Sequence, residues 1–112
     1  MGEFKVYHSA SFDQKLEKFD AEFERQIDKI EDQMVINPYV GDPLHVKWFR
    51  EKRVGVFRIY FIIYEDLKSV FMVAISGKKD QQRVINTIRL LLDSYRVEIE
   101  SLINSGTDSD FI

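Results

Sequence analysis

The stretch WFREKRVGVFRIYFIIYEDLKSVFMVAISGKK, residues 48 to 79, decides the fold. At its centre Phe57-Arg58-Ile59-Tyr60-Phe61-Ile62-Ile63-Tyr64 places a β-branched or aromatic residue at every position but one. Successive side chains of a strand point to opposite faces. Phe57, Ile59, Phe61 and Ile63 therefore share one face, and Arg58, Tyr60, Ile62 and Tyr64 the other. Both faces are largely apolar, which makes this a central strand. Residues 69 to 76 read the same way, with Phe71, Val73 and Ile75 against Val70, Met72 and Ala74. Residues 65 to 68 are too few for a crossover helix, so the two strands form an antiparallel hairpin. Arg58 stands apart, because a cation in a buried strand must be paired, hydrogen-bonded or functional.

Outward from this core, Val46, Trp48 and Arg50 begin a preceding strand that turns back near residues 53 to 55, where Gly55 supplies the tight backbone turn. Tyr39-Val40-Gly41-Asp42-Pro43 is a turn-rich connection, and Asn37-Pro38 ends a helix. That helix is announced by Phe12, Leu16, Phe19, Phe23, Ile27, Ile30 and Met34 at steps of three and four, with Ser11 and Gln14 as a capping box. No glycine or proline interrupts the stripe, so the residues by themselves favour one helix. The charges on its opposite face, such as Glu17, Glu24, Asp28 and Lys29, are a solvated surface. Residues 4 to 8 are rich enough in β formers for a short first strand.

After Gly77 the period changes to that of a helix: Val84, Ile85, Ile88, Leu91, Leu92, Tyr95, Ile99, Leu102 and Ile103 form a broad stripe from about Asp80, its expected N-cap, to Asn104. At ~1.5 Å per residue this helix is about 36 Å long and overhangs so small a core, so residues 97 to 103 need a partner. Ser105-Gly106-Thr107-Asp108-Ser109-Asp110 reads as a disordered tail. The expectation is an α+β domain over residues 1 to 104. It has a small, mainly antiparallel sheet of about four strands, an N-terminal helix or helical hairpin packed on it, a long C-terminal helix, and a tail at 105 to 112.

With 112 residues and 45% hydrophobic composition the chain is long enough for one buried core. It has no cysteine and therefore no disulfide, thiolate nucleophile or cysteine-bound zinc. Its two histidines, His8 and His45, do not make a metal site by themselves, and neither metal nor cofactor is expected. No apolar run approaches the ~20 residues that span a bilayer. The first residues lack the pattern of a signal peptide, and a cytoplasmic location is expected. The net charge of -3 conceals a segregation: residues 1 to 46 carry ten acids and five bases, residues 47 to 96 five acids and eleven bases. An acidic protein thus presents a basic region suited to a phosphate-rich ligand.

The bases of that region are Lys47, Arg50, Lys52, Arg53 and Arg58 on the strands, with Lys78, Lys79 and Arg83 at the start of the last helix. Arginine offers a planar fork for phosphate and lysine a mobile point charge. Phe49, Phe57, Tyr60 and Tyr64 interleave with them and are candidates to stack on unpaired bases. The plainer alternative is that the arginines answer acids on the long helix and the aromatics are core.

At these residues the sequence resembles the RelE/ParE toxin superfamily. The resemblance rests on Pro38, Gly41 and Leu44 after a helix, then Arg53-Val54-Gly55-x-Phe57-Arg58-Ile59, then a strand ending in Gly77-Lys78-Lys79-Asp80, and covers residues 12 to 85. It implies a break in the first helix near Asp20. It also implies a toxin that cleaves mRNA in the ribosomal A site without a metal, by attack of a 2′-OH on the adjacent phosphate, and that a cognate antitoxin neutralises. Carried over, Arg58 takes the place of the strand arginine at the phosphate, Arg53 that of the base before the glycine turn, and Lys79 that of the base after the last strand. Glu51 is the one nearby carboxylate able to serve as general base, and a surface partner of Arg53 or Lys47 is the favoured reading of it. The tyrosine or histidine that such toxins place beyond the last strand is replaced by Gln81, Gln82, Val84 and Ile85, and His45 or Tyr60 are the available substitutes. The implied partners are an antitoxin and mRNA on the ribosome, with a homodimer through the last helix also open, no membrane, and no DNA-specific binding. A non-catalytic module of the same fold acting on a protein such as gyrase, or a structural dimer in which Arg58 is only an ion-pair partner, fits the same residues.

Overall fold

The computed structural model describes residues 3 to 109 and is α+β. Five strands, β1 (Lys5–His8), β2 (Asp42–Leu44), β3 (Val46–Val54), β4 (Phe57–Tyr64) and β5 (Ser69–Ser76), form one sheet in the order β1-β5-β4-β3-β2. β1 runs parallel to β5, and the other neighbours are antiparallel. Helices α1 (Ala10–Leu16) and α2 (Ala21–Ile36) cover one face, while α3 (Gln81–Leu90) and α4 (Leu92–Ser109) cover the other. No helix among the described residues is long and apolar enough to cross a membrane.

β4 sits at the centre and fills both layers, as its alternation requires. Ile59, Phe61 and Ile63 pack with Phe12, Ile27 and Met34, whereas Tyr60 and Ile62 pack with Phe71, Ile88 and Ile99. Gly55 has a φ of +62° in the two-residue turn between β3 and β4, where a hairpin opening on glycine places it. β5 departs from strict alternation. Tyr60 pairs with Ala74 and Phe61 with Met72, so Val73 is an extra residue. Val73 and Ala74 therefore both belong to the α3–α4 layer and Ile75 crosses to the α1–α2 layer, not the face it would share with Phe71 by simple alternation. Such a bulge re-aims the strand beyond it, and here it sets Ser76 against Tyr60, their hydroxyls 2.8 Å apart.

The N-terminal helical pattern is two helices, as the resemblance implies. Asp20 caps α2 by accepting a hydrogen bond from the Phe23 amide at 2.9 Å. The apolar stripe survives the break because Phe19, in the linker, stacks on Phe23. The first cap is Ser9 and not Ser11: β1 ends where the Ser9 amide donates to the Met72 carbonyl, and its hydroxyl then accepts from the Phe12 amide. Ser11 Oγ instead donates to the Val73 carbonyl at 3.4 Å. β2 occupies part of the connection that the sequence reads only as turns, because its residues find Arg50 and Glu51 of β3 opposite them.

The last helix is also two. The chain bends at Leu91, whose amide reaches both the Thr87 and Ile88 carbonyls. The bend lets α4 fold back: Tyr95 and Ile99 are buried and Ile103 packs on the same cluster. Arg96 holds Asp66 at 2.7 Å and Glu98 accepts from the Ala10 amide at 2.9 Å. The overhanging helix expected from length is thus replaced by one docked on the core, with Val97 and Leu102 left as its exposed apolar residues. α4 runs to Ser109, through most of the stretch read as a tail, and residues 110 to 112 of that stretch lie outside the described residues.

Candidate nucleic-acid interface

The strand pairing brings Glu51, Arg53 and Arg58 together. Arg53 stands directly opposite Arg58 across β3 and β4, and Glu51 opposite Tyr60, so all share the α3–α4 face with Tyr60. Like charges facing each other across a strand pair oppose folding unless an anion lies between them. Glu51 answers Arg58 and leaves Arg53 unanswered: its Oε2 lies 3.9 Å from Arg58 Nε, and its Oε1 accepts from Gln81 Nε2 at 3.0 Å. The carboxylate is therefore neither a partner of Arg53 nor of Lys47. Arg58 is only 7% exposed, yet Nε has no hydrogen-bond partner. A buried guanidinium nitrogen left unbonded is rare and costly. Arg53 is exposed and makes no ion pair among the described residues. Ser76, the cross-strand neighbour of Arg58, leads within three residues to the exposed Lys78 and Lys79. One end of the sheet thus carries the cations Arg53, Arg58, Lys78 and Lys79, together with three carboxylates: Glu51, its cross-strand neighbour Asp42, and Asp80.

The other predicted bases do not converge there. Arg50 is buried, and its guanidinium donates to the carbonyls of Val40, Lys47 and Gly41 at 2.9 to 3.1 Å and of Tyr39 at 3.5 Å. It is a clamp on its own connection, occupied on all its nitrogens, and its expected RNA contact is withdrawn. Lys47 lies over the Tyr39 ring at 4.6 Å, roughly 20 Å along β3 from Arg53. Lys52 pairs opposite Ile59 and so sits on the α1–α2 face. Arg83 pairs with Asp80 at 3.2 Å and lines a groove with Ser11 and Lys15, on the far side of α3 from Gln81. Of the aromatics offered for stacking, Phe49 and Tyr60 are core, 1% and 0% exposed. Trp48, which was not among the stacking candidates, is the aromatic left open among the described residues, at 41%.

No protein-family model matches the sequence, and no curated protein does. Solved structures do match. A RelBE toxin–antitoxin complex from Mycobacterium tuberculosis aligns with a TM-score of 0.59 at 16% identity, over 68% of this chain and 99% of that one. A mutant of E. coli toxin RelE in the free state aligns with a TM-score of 0.63 at 10% identity, over 79% and 99%. The intact E. coli RelBE complex gives 0.60 at 9%, over 66% and 95%. The fold is that of the RelE toxins.

Within this RelE-like fold the two substitutes for the absent tyrosine or histidine differ sharply. Tyr60 is fully buried with its hydroxyl on Ser76, and burial pushes its phenol up. It holds its proton inside the core. His45 is exposed, between β2 and β3, with a φ of +68° that few non-glycine residues adopt. It lines a cavity of about 430 Å³ with Pro43, Leu44, Gln81, Gln82, Ile85 and Arg89. Gln81 belongs to both this cavity and the Glu51 carboxylate. The signal for Gln81 in the sequence was its place one residue after the expected cap. Nothing local announced that His45 would lie beside it, because the contact joins residues 36 positions apart.

Proposed function

We propose that this chain is a RelE-like toxin that acts on mRNA at the ribosome as a metal-independent endoribonuclease and is held inactive by an antitoxin. The observation that carries the proposal is the Glu51–Arg58 pair with Arg53 facing it, at an end of the sheet flanked by Lys79. In the reaction the 2′ oxygen forms a bond to phosphorus and the bond to the 5′ oxygen breaks. Glu51 accepts the 2′-OH proton, Arg58 and Arg53 stabilise the charge that builds on the phosphoryl oxygens, and the Lys79 ammonium gives a proton to the leaving oxygen. RelE appears with its antitoxin RelB in the matching complexes, and an acidic segment of such a partner fits the same cluster of cations.

A second reading, a catalytically silent module of the same fold, is favoured by the absence of any tyrosine or histidine in residues 81 to 85. Primer extension on mRNA in a purified translation reaction separates the two. Ribosome-dependent cuts by the wild type, reduced at least ~100-fold in Arg58→Ala and Glu51→Gln with both variants folded, establish the nuclease. An absence of cuts at every concentration of wild-type protein rejects it in favour of the binding module.

A further inference from the structure

The cavity beside His45 adjoins the cation cluster without being part of it. Its apolar lining comes from Leu44, Ile85 and the exposed Pro43, and its polar lining from His45, Gln81, Gln82 and Arg89. About 430 Å³ lies within the range of small-ligand sites. The polar lining is also incompletely used by the protein. The amide nitrogen of Gln81 is committed to Glu51 and that of Gln82 to Asn86 at 2.9 Å, which leaves both side-chain carbonyls toward other donors. Arg89, in the last turn of α3, makes no ion pair among the described residues. His45 is held in a left-handed backbone conformation that costs energy for any residue with a Cβ. The strain carries an imidazole to the mouth of the cavity, where a glycine would have served the turn alone.

Acceptors, a planar ring, a guanidinium and an apolar lining are together what an unpaired nucleobase needs: a flat surface to stack on and partners for its edge. We propose that this cavity is a nucleobase subsite for single-stranded RNA, contiguous through Gln81 with the phosphate site at Arg58. It rests on the phosphate reading given above and extends it. The nucleotide next to the bound phosphate places its base in the cavity, His45 covers the base, and the Gln81 and Gln82 carbonyls accept from its exocyclic amine. The subsite therefore favours the bases that carry an exocyclic amine, adenine, cytosine and guanine, over uracil.

The test is a titration of the isotope-labelled protein followed by amide NMR shifts, with inorganic phosphate, ribose 5-phosphate, the four nucleoside 3′-monophosphates and a 2′-O-methylated trinucleotide that resists cleavage. Phosphate and ribose phosphate are expected to move Arg53 and Arg58 alone. The nucleotides and the trinucleotide move these and also His45, Gln81 and Gln82, with the uridine compound the weakest of the four. In His45→Asn, which tolerates the left-handed backbone, binding of adenosine monophosphate weakens roughly fivefold or more, the low end of what one stacked base contributes. Binding of ribose phosphate is unchanged. Nucleotides that move only what phosphate moves would overturn the subsite and leave the phosphate site standing. Shifts in the cavity with none at Arg58 would overturn the phosphate reading instead. A protein that takes mononucleotides but refuses the strand, or that responds to none of these compounds, overturns the proposal.

Discussion

At the scale of single residues, two buried arginines on neighbouring strands are held in opposite ways. Arg50 is satisfied by four carbonyls, whereas Arg58 has one carboxylate at 3.9 Å and a bare Nε. Arg50→Ala removes every donor from that set and leaves the carbonyls of its connection to water or to nothing. A loss of about 3 kcal/mol is expected in urea unfolding, with no change in phosphate affinity once the remaining folded fraction is counted. Arg58→Ala leaves Glu51 with Gln81 as its partner, so the carboxylate is only partly orphaned. Its cost is expected to be smaller, about 2 kcal/mol, and adding Glu51→Gln should recover most of it. A double-mutant cycle in urea checks this. A coupling near zero would mean that the pair contributes nothing to the fold.

At the scale of elements, the structure depends on where helices stop and how closely connections approach the sheet. Asp20 separates α1 from α2 through one cap bond. Asp20→Ala is expected to cost about 1 kcal/mol in thermal or urea unfolding. Gly41 is less forgiving. It has a φ of +71°, and a Cβ built there would lie 2.1 Å from the Glu51 carbonyl oxygen, which no side-chain rotation relieves. Gly41→Ala must therefore shift either the connection or the peptide that carries Glu51. A loss of more than 2 kcal/mol is expected, together with a displaced Glu51 amide resonance.

At the scale of the molecule, His8 joins three elements. Its ring sits between Asp13 of α1 at 2.7 Å and Glu31 of α2 at 2.5 Å, while its backbone belongs to β1. Burial alone pushes the imidazole down, but Glu31 and then Asp13 outweigh it and hold it up at about 9, against 6.5 when free. A group whose folded value is the higher stabilises fully below the unfolded value and ceases to do so as the pH passes the folded one. The urea midpoint is therefore expected to fall between pH 6.5 and about 9, and the fall should flatten in His8→Gln. A wild-type curve as flat as the variant's would mean that the imidazole is not charged in the fold.

Period-two and period-3.6 patterns are properties of neighbouring residues, and what rests on them was legible in the sequence. The two hairpins, the central place of β4, the two faces of the sheet and the juxtaposition of Arg53 with Arg58 follow from alternation and from a turn at Gly55. By the same alternation Lys52 belongs with Val54 on the α1–α2 face, so its exclusion from the site was already written in the chain. The tertiary structure alone decided the bulge at Val73, the bend at Leu91 and the edge strand β2. No glycine or proline marks the first two. Beyond the first Ser76 meets Tyr60, and beyond the second Ile99 is buried and Arg96 pairs with Asp66, contacts that join residues far apart in the chain. The clamp on Arg50 and the cavity shared by His45 and Gln81 are of the same kind. Their partners are distant in the chain, and a sequence displays local periodicity but not which remote surfaces close on one another.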